Sequence, residues 1–406
     1  MWVMDWCRLL AVGLLASSFF GSACERRSKM KENRAPGVSA TEIRLGSAAA
    51  LSGHASFLGT QLVHGSEAWF KEVNAKGGIH GRQIKLISLD DGYEPSRTTT
   101  MTQRLLVDEA VFALFDYVGT PTSVKASPLA KRAHVPLFGL FTGAVSLRAP
   151  VSPWIFHLRD SYYAEAEGAI ALFVDHFKFK RIGVIYQQDA FGQAVLSGAQ
   201  LALGRRKMEP VAAESFARGS MDIERARDAM KSAQAGAVIL VGTYSPLAKI
   251  VKTSHDTGFE PWFHTVSFVG TEAYARELVE TQKVLPEKYK HLIVTQVVPS
   301  PLSDLPGVRE YRELAKKYFP ADTTNYVALE GFLNAKVFTV ALSRAGQALD
   351  RDTLPKAIES IRDFDLGIGK HVTYGPVDHV GIEGIYYSRL DDQGHFELMD
   401  VEGATP

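Results

Sequence analysis

From Glu42 onward, short runs rich in β-branched and apolar residues alternate with amphipathic stretches long enough to be helices. The pattern predicts a strand over 43–48, a helix over 59–75, a strand over 83–89, a helix over 96–108 and a strand over 113–117. Asn74-Ala75-Lys76-Gly77-Gly78 reads as a helix stop followed by a turn, and Gly81 closes the loop before the next strand. A further strand is expected over 136–140. After Arg159 the rhythm restarts with a helix over 164–177, a strand over 181–186, a helix over 192–205, a strand over 211–215, a helix over 223–233, a strand over 237–241 and a helix over 246–257. Beyond the run Val294-Thr295-Gln296-Val297-Val298-Pro299, two more helices are expected over 307–318 and 326–345.

Repeated βα units imply parallel strands with helices on both faces. The chain therefore reads as α/β, with two doubly wound parallel-sheet lobes of similar size. Open sheets of this kind hold ligands outside the carboxyl ends of their strands, so a cleft between the lobes is the expected binding place. The pattern does not name the ligand.

At 406 residues the chain is long enough for two such lobes, each with its own core. Acidic and basic side chains balance at 45 each without blocks of like charge, which gives no electrostatic reason to expect nucleic acid and favours a small neutral or weakly charged ligand. The chain contains no Gly-x-Ser-x-Gly elbow, no His-Glu-x-x-His, no Walker lysine loop and no paired cysteines, so it does not read as an enzyme. His64, His80, His134 and His157 are scattered without metal-ligand spacing, and no metal or cofactor is expected. Asp90-Asp91 at a strand end is the pair that an enzymatic reading would use for acid-base or metal chemistry.

The first residues form a targeting pattern: Arg8, an apolar run over 9–20, then Gly21, Ser22 and Ala23 before Cys24. Basic residues resume at Arg26, Arg27 and Lys29, so the run is shorter than the roughly 20 residues of a membrane-spanning helix. Residues 1–24 read as a signal peptide. Ser22-Ala23-Cys24 resembles the end of a bacterial lipobox, in which the cysteine is acylated and anchors the exported protein; Gly21 stands where that motif usually has Leu. Cys7 and Cys24 are the only cysteines, which leaves the mature body without a thiol for a disulfide or nucleophile. Residues 25–40 read as a flexible tether.

The motifs Leu51-Ser52-Gly53 with Gly59 and Gly65, Asn74-Ala75-Lys76-Gly77-Gly78-Ile79-His80-Gly81, Asp90-Asp91 with Pro95, and Asp189-Ala190-Phe191-Gly192 occur in one order along the chain. In that order they resemble the type I periplasmic-binding family that includes the leucine, isoleucine and valine receptors. The resemblance runs over about 43–396. It is nearest to a branch carrying Gly119-Thr120-Pro121-Thr122-Ser123, Phe141-Thr142-Gly143-Ala144, Val266-Ser267-Phe268-Val269-Gly270 and Phe364-Asp365-Leu366-Gly367. It implies three crossings between lobes, near Arg159, Gln296 and Asp365. Lobe one would then combine 41–159 with 297–365, and lobe two 160–296 with 366–406. It also implies an extracytoplasmic solute-binding protein that closes on a small organic ligand (an amino acid, a carboxylate or an aromatic compound) and delivers it to the permease of an ABC importer. The alternative within the same hinge mechanism is a sensor reporting to a kinase or chemoreceptor, and a periplasmic enzyme is the reading from another class.

Thr120, Thr122 and Ser123 follow a strand and open a helix, where hydroxyls and backbone N–H groups suit a carboxylate; ordinary helix capping is the other use of the same residues. Phe141, Thr142 and Gly143 align with the family's second carboxylate-binding loop, and Gly143 reads either as a point of close backbone approach or as a plain turn glycine. From lobe two, Tyr162, Phe191, Tyr244 and Ser267 match family contact positions or their neighbours. The family holds an amino-acid ammonium with acidic residues where this chain has Ala164 and Ser267. Glu165, one residue on, is the candidate to take their place, but its spacing reads as that of a solvated helix residue, so the expected ligand is uncharged or carboxylate-bearing rather than a standard α-amino acid.

Overall fold

The computed structural model describes residues 35–286, 289 and 291–401. The signal segment, Cys24 and most of the 25–40 tether lie outside the described residues.

The first sheet has five parallel strands, β1 (Glu42–Ala49), β2 (Gln83–Asp90), β3 (Ala113–Phe115), β4 (Leu137–Phe138) and β5 (Ile155–Phe156), in the order β2-β1-β3-β4-β5. The second begins with β6 (Ile182–Gln187), β7 (Ala212–Phe216), β8 (Ala237–Val241), β9 (Trp262–Thr265) and β10 (Leu292–Gln296), parallel in the order β7-β6-β8-β9-β10. The two lobes thus share one winding, and in each the order reverses beside the first strand. That reversal opens a crevice at the strand ends.

Helices α1 (Ser56–Ala75), α2 (Pro95–Val107) and α3 (Thr120–Ala133) connect strands of the first lobe. In the second lie α4 (Tyr162–Ile170), α5 (Ala190–Arg205), α6 (Glu224–Ser232), α7 (Tyr244–Asp256) and α8 (Thr271–Arg276). The chain then returns to the first lobe for α9 (Pro306–Tyr318), α10 (Tyr326–Ala345) and α11 (Thr353–Glu359). Local chemistry starts several of these helices. Asp189 accepts from the backbone N–H groups of Phe191 and Gly192, Ser161 from Ala164, and Asn325 from Ala328, each satisfying donors that the first turn leaves free. The long helices α1 and α10 meet backbone to backbone. A Cβ on Gly65 would fall 1.9 Å from the Ala328 carbonyl oxygen, and one on Gly331 2.1 Å from that of Leu62.

One outer core lies under α9, α10 and α11 in the first lobe, and another under α6 and α7 in the second. A third apolar cluster is continuous across both lobes, from Leu58 and Leu114 through Phe141 and Tyr162 to Ala199 and Ile239. The lobes are therefore apposed.

Two features differ from the sequence reading. An antiparallel hairpin, β13 (Tyr386–Leu390) and β14 (Phe396–Leu398), extends the second sheet outside β10, so that sheet is mixed at its edge. Residues 366–382, assigned by resemblance to lobe two, stay with the first lobe. Between β11 (Phe364–Asp365) and β12 (His371–Val372) and just beyond them, Leu366, Ile368, Val372, Tyr374 and Ile382 fill its outer core. The third crossing lies past Ile382, where Ile382 N–H donates to Leu158 O at 2.9 Å and Gly384 N–H to the Asp160 carboxylate at 2.7 Å. It runs beside the first crossing at 158–160.

Candidate functional site

The loops after β2, β3, β4, β5, β6 and β9 converge between the lobes. Five rings meet there: Tyr93 and Phe141 from the first lobe, and Tyr162, Phe191 and Phe268 from the second. Phe268 is central, with ring centroids 4.6 Å from Phe191, 5.5 Å from Phe141 and 5.8 Å from Tyr93, while Tyr162 lies 5.3 Å from Phe191. All five are buried. Burial pushes the Tyr162 hydroxyl up to about 12 and that of Tyr93 well above the usual phenol range, so both stay neutral.

Seven of the ten residues expected to bind ligand lie around these rings. The Thr120 and Thr142 hydroxyls share a hydrogen bond at 2.7 Å, tying the two first-lobe loops together. Gly143 accepts the Tyr162 N–H at 2.8 Å, and a Cβ there would lie 2.5 Å from the Tyr162 nitrogen. Its missing side chain thus admits Tyr162. Phe141, Phe191 and Ser267 complete the group. Thr122, by contrast, donates its hydroxyl to the carbonyls of Val118 and Gly119 within its own first turn. Ser123 is fully buried, and its hydroxyl has no hydrogen-bond partner. Tyr244, at the start of α7, is half-buried at the rim, where its hydroxyl faces Ser56 and the Phe57 backbone of the first lobe.

The reading of Glu165 as a solvated residue is corrected. It is fully buried, accepting from Ser267 N–H at 2.7 Å, Ser267 Oγ at 3.0 Å and Thr295 Oγ1 at 2.7 Å. Arg159, also buried, lies 3.5 Å from it, donates to Ser267 Oγ and stands 3.6 Å from Glu330 of α10. Its guanidinium also lies 4.8 Å from the centre of the Phe141 ring. Burial works against the Arg159 charge, but Glu330 and Glu165 outweigh it and hold the pKa up. Burial raises Glu165 and carries Glu330 to about 7, in both cases against the pull of Arg159. Sequence reasoning missed Arg159, Glu330 and Tyr93 as parts of the site. The readable signal was an arginine at the first crossing, between Trp154-Ile155-Phe156 and Tyr162-Tyr163.

Contacts spanning the lobes rim this centre. Arg218, in the loop after β7, donates to Glu94 at 2.5 Å and to the Tyr93 carbonyl, with its guanidinium 5.6 Å from the centre of the Tyr93 ring. Glu272 of α8 accepts the Tyr326 N–H at the start of α10 at 3.0 Å. Asp90 and Asp91 serve the loop beside them. Asp90 accepts from Leu51, Ser52 and Gly92, and Asp91 from Tyr93 N–H and Thr98. Among the described residues, no group of His, Cys, Asp and Glu is placed to hold a metal, and no helix is long and apolar enough to cross a membrane.

Two lobes of one winding, a shared hinge and a buried seam of rings and hydroxyls define a two-lobed binding protein. The chain belongs to the periplasmic binding protein family, which it matches over residues 42–395. Membership implies an extracytoplasmic location. A possible leucine/isoleucine/valine-binding protein from Rhodopirellula baltica is 33% identical, with a TM-score of 0.84 over 90% of this chain and 98% of that one. Leu/Ile/Val-binding protein homolog 7 of Brucella abortus is 24% identical over 336 residues, which is 80% of this chain and 82% of that protein. A branched chain amino acid ABC transporter protein from Thermus thermophilus with bound valine is 17% identical, with a TM-score of 0.80 over 89% of this chain and 96% of that one, a likeness of fold.

Proposed function

We propose that the protein captures a small organic molecule between its lobes and presents the closed form to the permease of an ABC importer, without chemical change to the ligand. The observation that carries this reading is the seam where rings from both lobes meet beside buried polar atoms that make no hydrogen bond, among them Arg159 Nε and Nη1 and the Ser123 hydroxyl. Buried polar groups without partners are costly, and a ligand supplies the missing partners while the apposed lobes exclude water. Thr120, Thr142, Tyr162 and Phe191 contact the ligand in this reading, and closure about the three crossings is the state the permease recognises.

Relatives named for branched-chain amino acids support import over other uses of the fold. Acylation of Cys24 tethers the protein to the envelope membrane. Expression of Cys24→Ala then releases the protein into the soluble extracytoplasmic fraction, and unchanged membrane association removes the anchor from the account. For the function itself, a thermal-shift screen of the purified protein against amino acids, carboxylates, aromatic acids and purines gives a ligand-dependent rise in Tm, about 2.7 kcal/mol of added stability at 100 times Kd. Substituting Thr142→Ala weakens that binding. A hit whose affinity is indifferent to Thr142→Ala and Phe191→Ala would place binding elsewhere.

A further inference from the structure

The unpartnered atoms at the seam are mostly donors, and this bears on ligand charge. Arg159 is 1% exposed, yet only its Nη2 makes hydrogen bonds; Nε and Nη1 have none. Nη1 lies 3.6 Å from Glu330 without a hydrogen bond between them. Beside it, Arg148 gives its terminal nitrogens to the carbonyls of Arg159, Thr142 and Asp160 and leaves Nε unpartnered. The fully buried Ser123 hydroxyl adds another group able to donate, while the Tyr93 hydroxyl faces Gln187 and that of Tyr162 faces Thr142 and the Gly143 backbone. Against them stand fewer acceptors: the side-chain carbonyl of Gln187, which faces Tyr93, Glu272 Oε2 at the rim, and the Glu330 carboxylate 3.6 Å from Arg159.

The acids nearby do not make an ammonium site. Both oxygens of Glu165 are already engaged by Ser267, Thr295 and Arg159. Asp160 accepts from Ser161 and Gly384 on the hinge strands. Asp189 caps α5 and accepts from Gln187. Glu330 shares its charge with Arg159 and is held partly protonated by burial near neutral pH. Arg159, with two nitrogens free of hydrogen bonds, therefore lies between a fully engaged carboxylate, Glu165, and Glu330, with which it makes no hydrogen bond. An ammonium entering here brings three more donors to a place already short of acceptors, whereas a carboxylate brings acceptors on two oxygens.

Resting on the binding reading above, we propose that Arg159 is the anion anchor of the seam and that the ligand is a small monocarboxylate with an apolar or aromatic body and no ammonium group. The stack of Arg159 on Phe141 fixes the guanidinium at the edge of the ring cluster, so the carboxylate lies at Arg159 and the apolar body among Phe141, Phe191 and Phe268.

The test is calorimetric titration of the purified protein with two matched sets: 3-phenylpropanoate, phenylalanine and 3-phenylpropanamide; and 4-methylpentanoate, leucine and 4-methylpentanamide. Within each set the body is kept and the charge changes, so the comparison needs no variant. The expected result is that at least one carboxylate binds about tenfold or more tightly than its amide and its amino acid. Arg159→Gln is expected to abolish that preference, and Arg159→Lys to restore part of it, in variants whose circular dichroism matches the wild type. An amino acid binding as tightly as its carboxylate overturns the proposal, as does a carboxylate whose affinity survives Arg159→Gln. Silence from all six compounds also overturns it. An amino acid that binds and loses affinity on Thr142→Ala leaves the binding function standing while removing the anion anchor, so the two readings fail separately.

Discussion

Arg218 is the most direct handle on lobe closure, because it belongs to the second lobe and its hydrogen-bond partners Glu94 and Tyr93 belong to the first. Arg218→Ala removes an ion pair, a charged hydrogen bond to a carbonyl and a guanidinium–ring contact, all present only when the lobes are apposed. The Arg218 side chain is 20% exposed and that of Glu94 44%, so water and salt screen the pair and it contributes only about 0.5–1 kcal/mol. The carbonyl hydrogen bond adds about 1 kcal/mol. Closure is therefore weakened by about 1–2 kcal/mol, which corresponds to a Kd about 5- to 30-fold higher. The loss should appear mainly as faster dissociation, measurable by stopped-flow fluorescence with a ligand identified by thermal shift. Raising ionic strength should weaken the wild type more than the variant, since only the wild type holds the screened pair. Identical dissociation rates for wild type and Arg218→Ala would refute the reasoning.

Three further perturbations follow from the buried network and its neighbours. Glu165→Ala leaves Ser267 N–H, the Thr295 hydroxyl and Arg159 without their acceptor, and is expected to cost about 3–5 kcal/mol in chemical denaturation; a loss under 1 kcal/mol would show the network to be dispensable. Gly143→Ala places a Cβ 2.5 Å from the Tyr162 nitrogen, so Tyr162 must move; a fall in Tm equivalent to about 1–3 kcal/mol with weakened ligand binding is expected, and unchanged affinity would take Tyr162 out of the site. Glu330 is raised from 4.5 to about 7, so the folded form holds a proton that the unfolded form releases. Its stabilising contribution is fully present below pH 4.5 and is lost as pH rises through about 7, and a plot of Tm against pH should fall less steeply over that window in Glu330→Gln than in the wild type. Parallel curves would mean that Glu330 does not titrate there.

The repeating units were legible because strand and helix periodicities are local. Helix α10 was predicted with its observed bounds, and β8 likewise, since each is a long or wholly apolar run with clear turns beside it. β5 has two residues and β9 four, too short to show a period, and β13 buries the polar Ser388 on its covered face, which hides the alternation. The third crossing was set too early because the family resemblance places it near Asp365, while what holds the following segment is burial of Leu366, Ile368 and Tyr374 in a core formed by distant helices.

Within the site, the loops carrying Thr120, Thr142 and Phe191 were legible from strand ends. The charged centre was not. Glu165 and Glu167 look alike in sequence, yet Glu167 lies at the surface with Arg205 and Arg206, whereas Glu165 turns inward to partners on β10 and the loop after β9. A buried charge reads as a surface charge until its partner is placed, and the partners of Arg159 come from both lobes.

The central claim is that one ligand engages both lobes at the seam, and hydrogen–deuterium exchange with and without a ligand found by thermal shift tests it most directly. The account predicts added protection in the first lobe at 117–123 and 140–144 together with 159–165 and 266–270 in the second. Protection confined to one lobe, or located away from these loops, would contradict it.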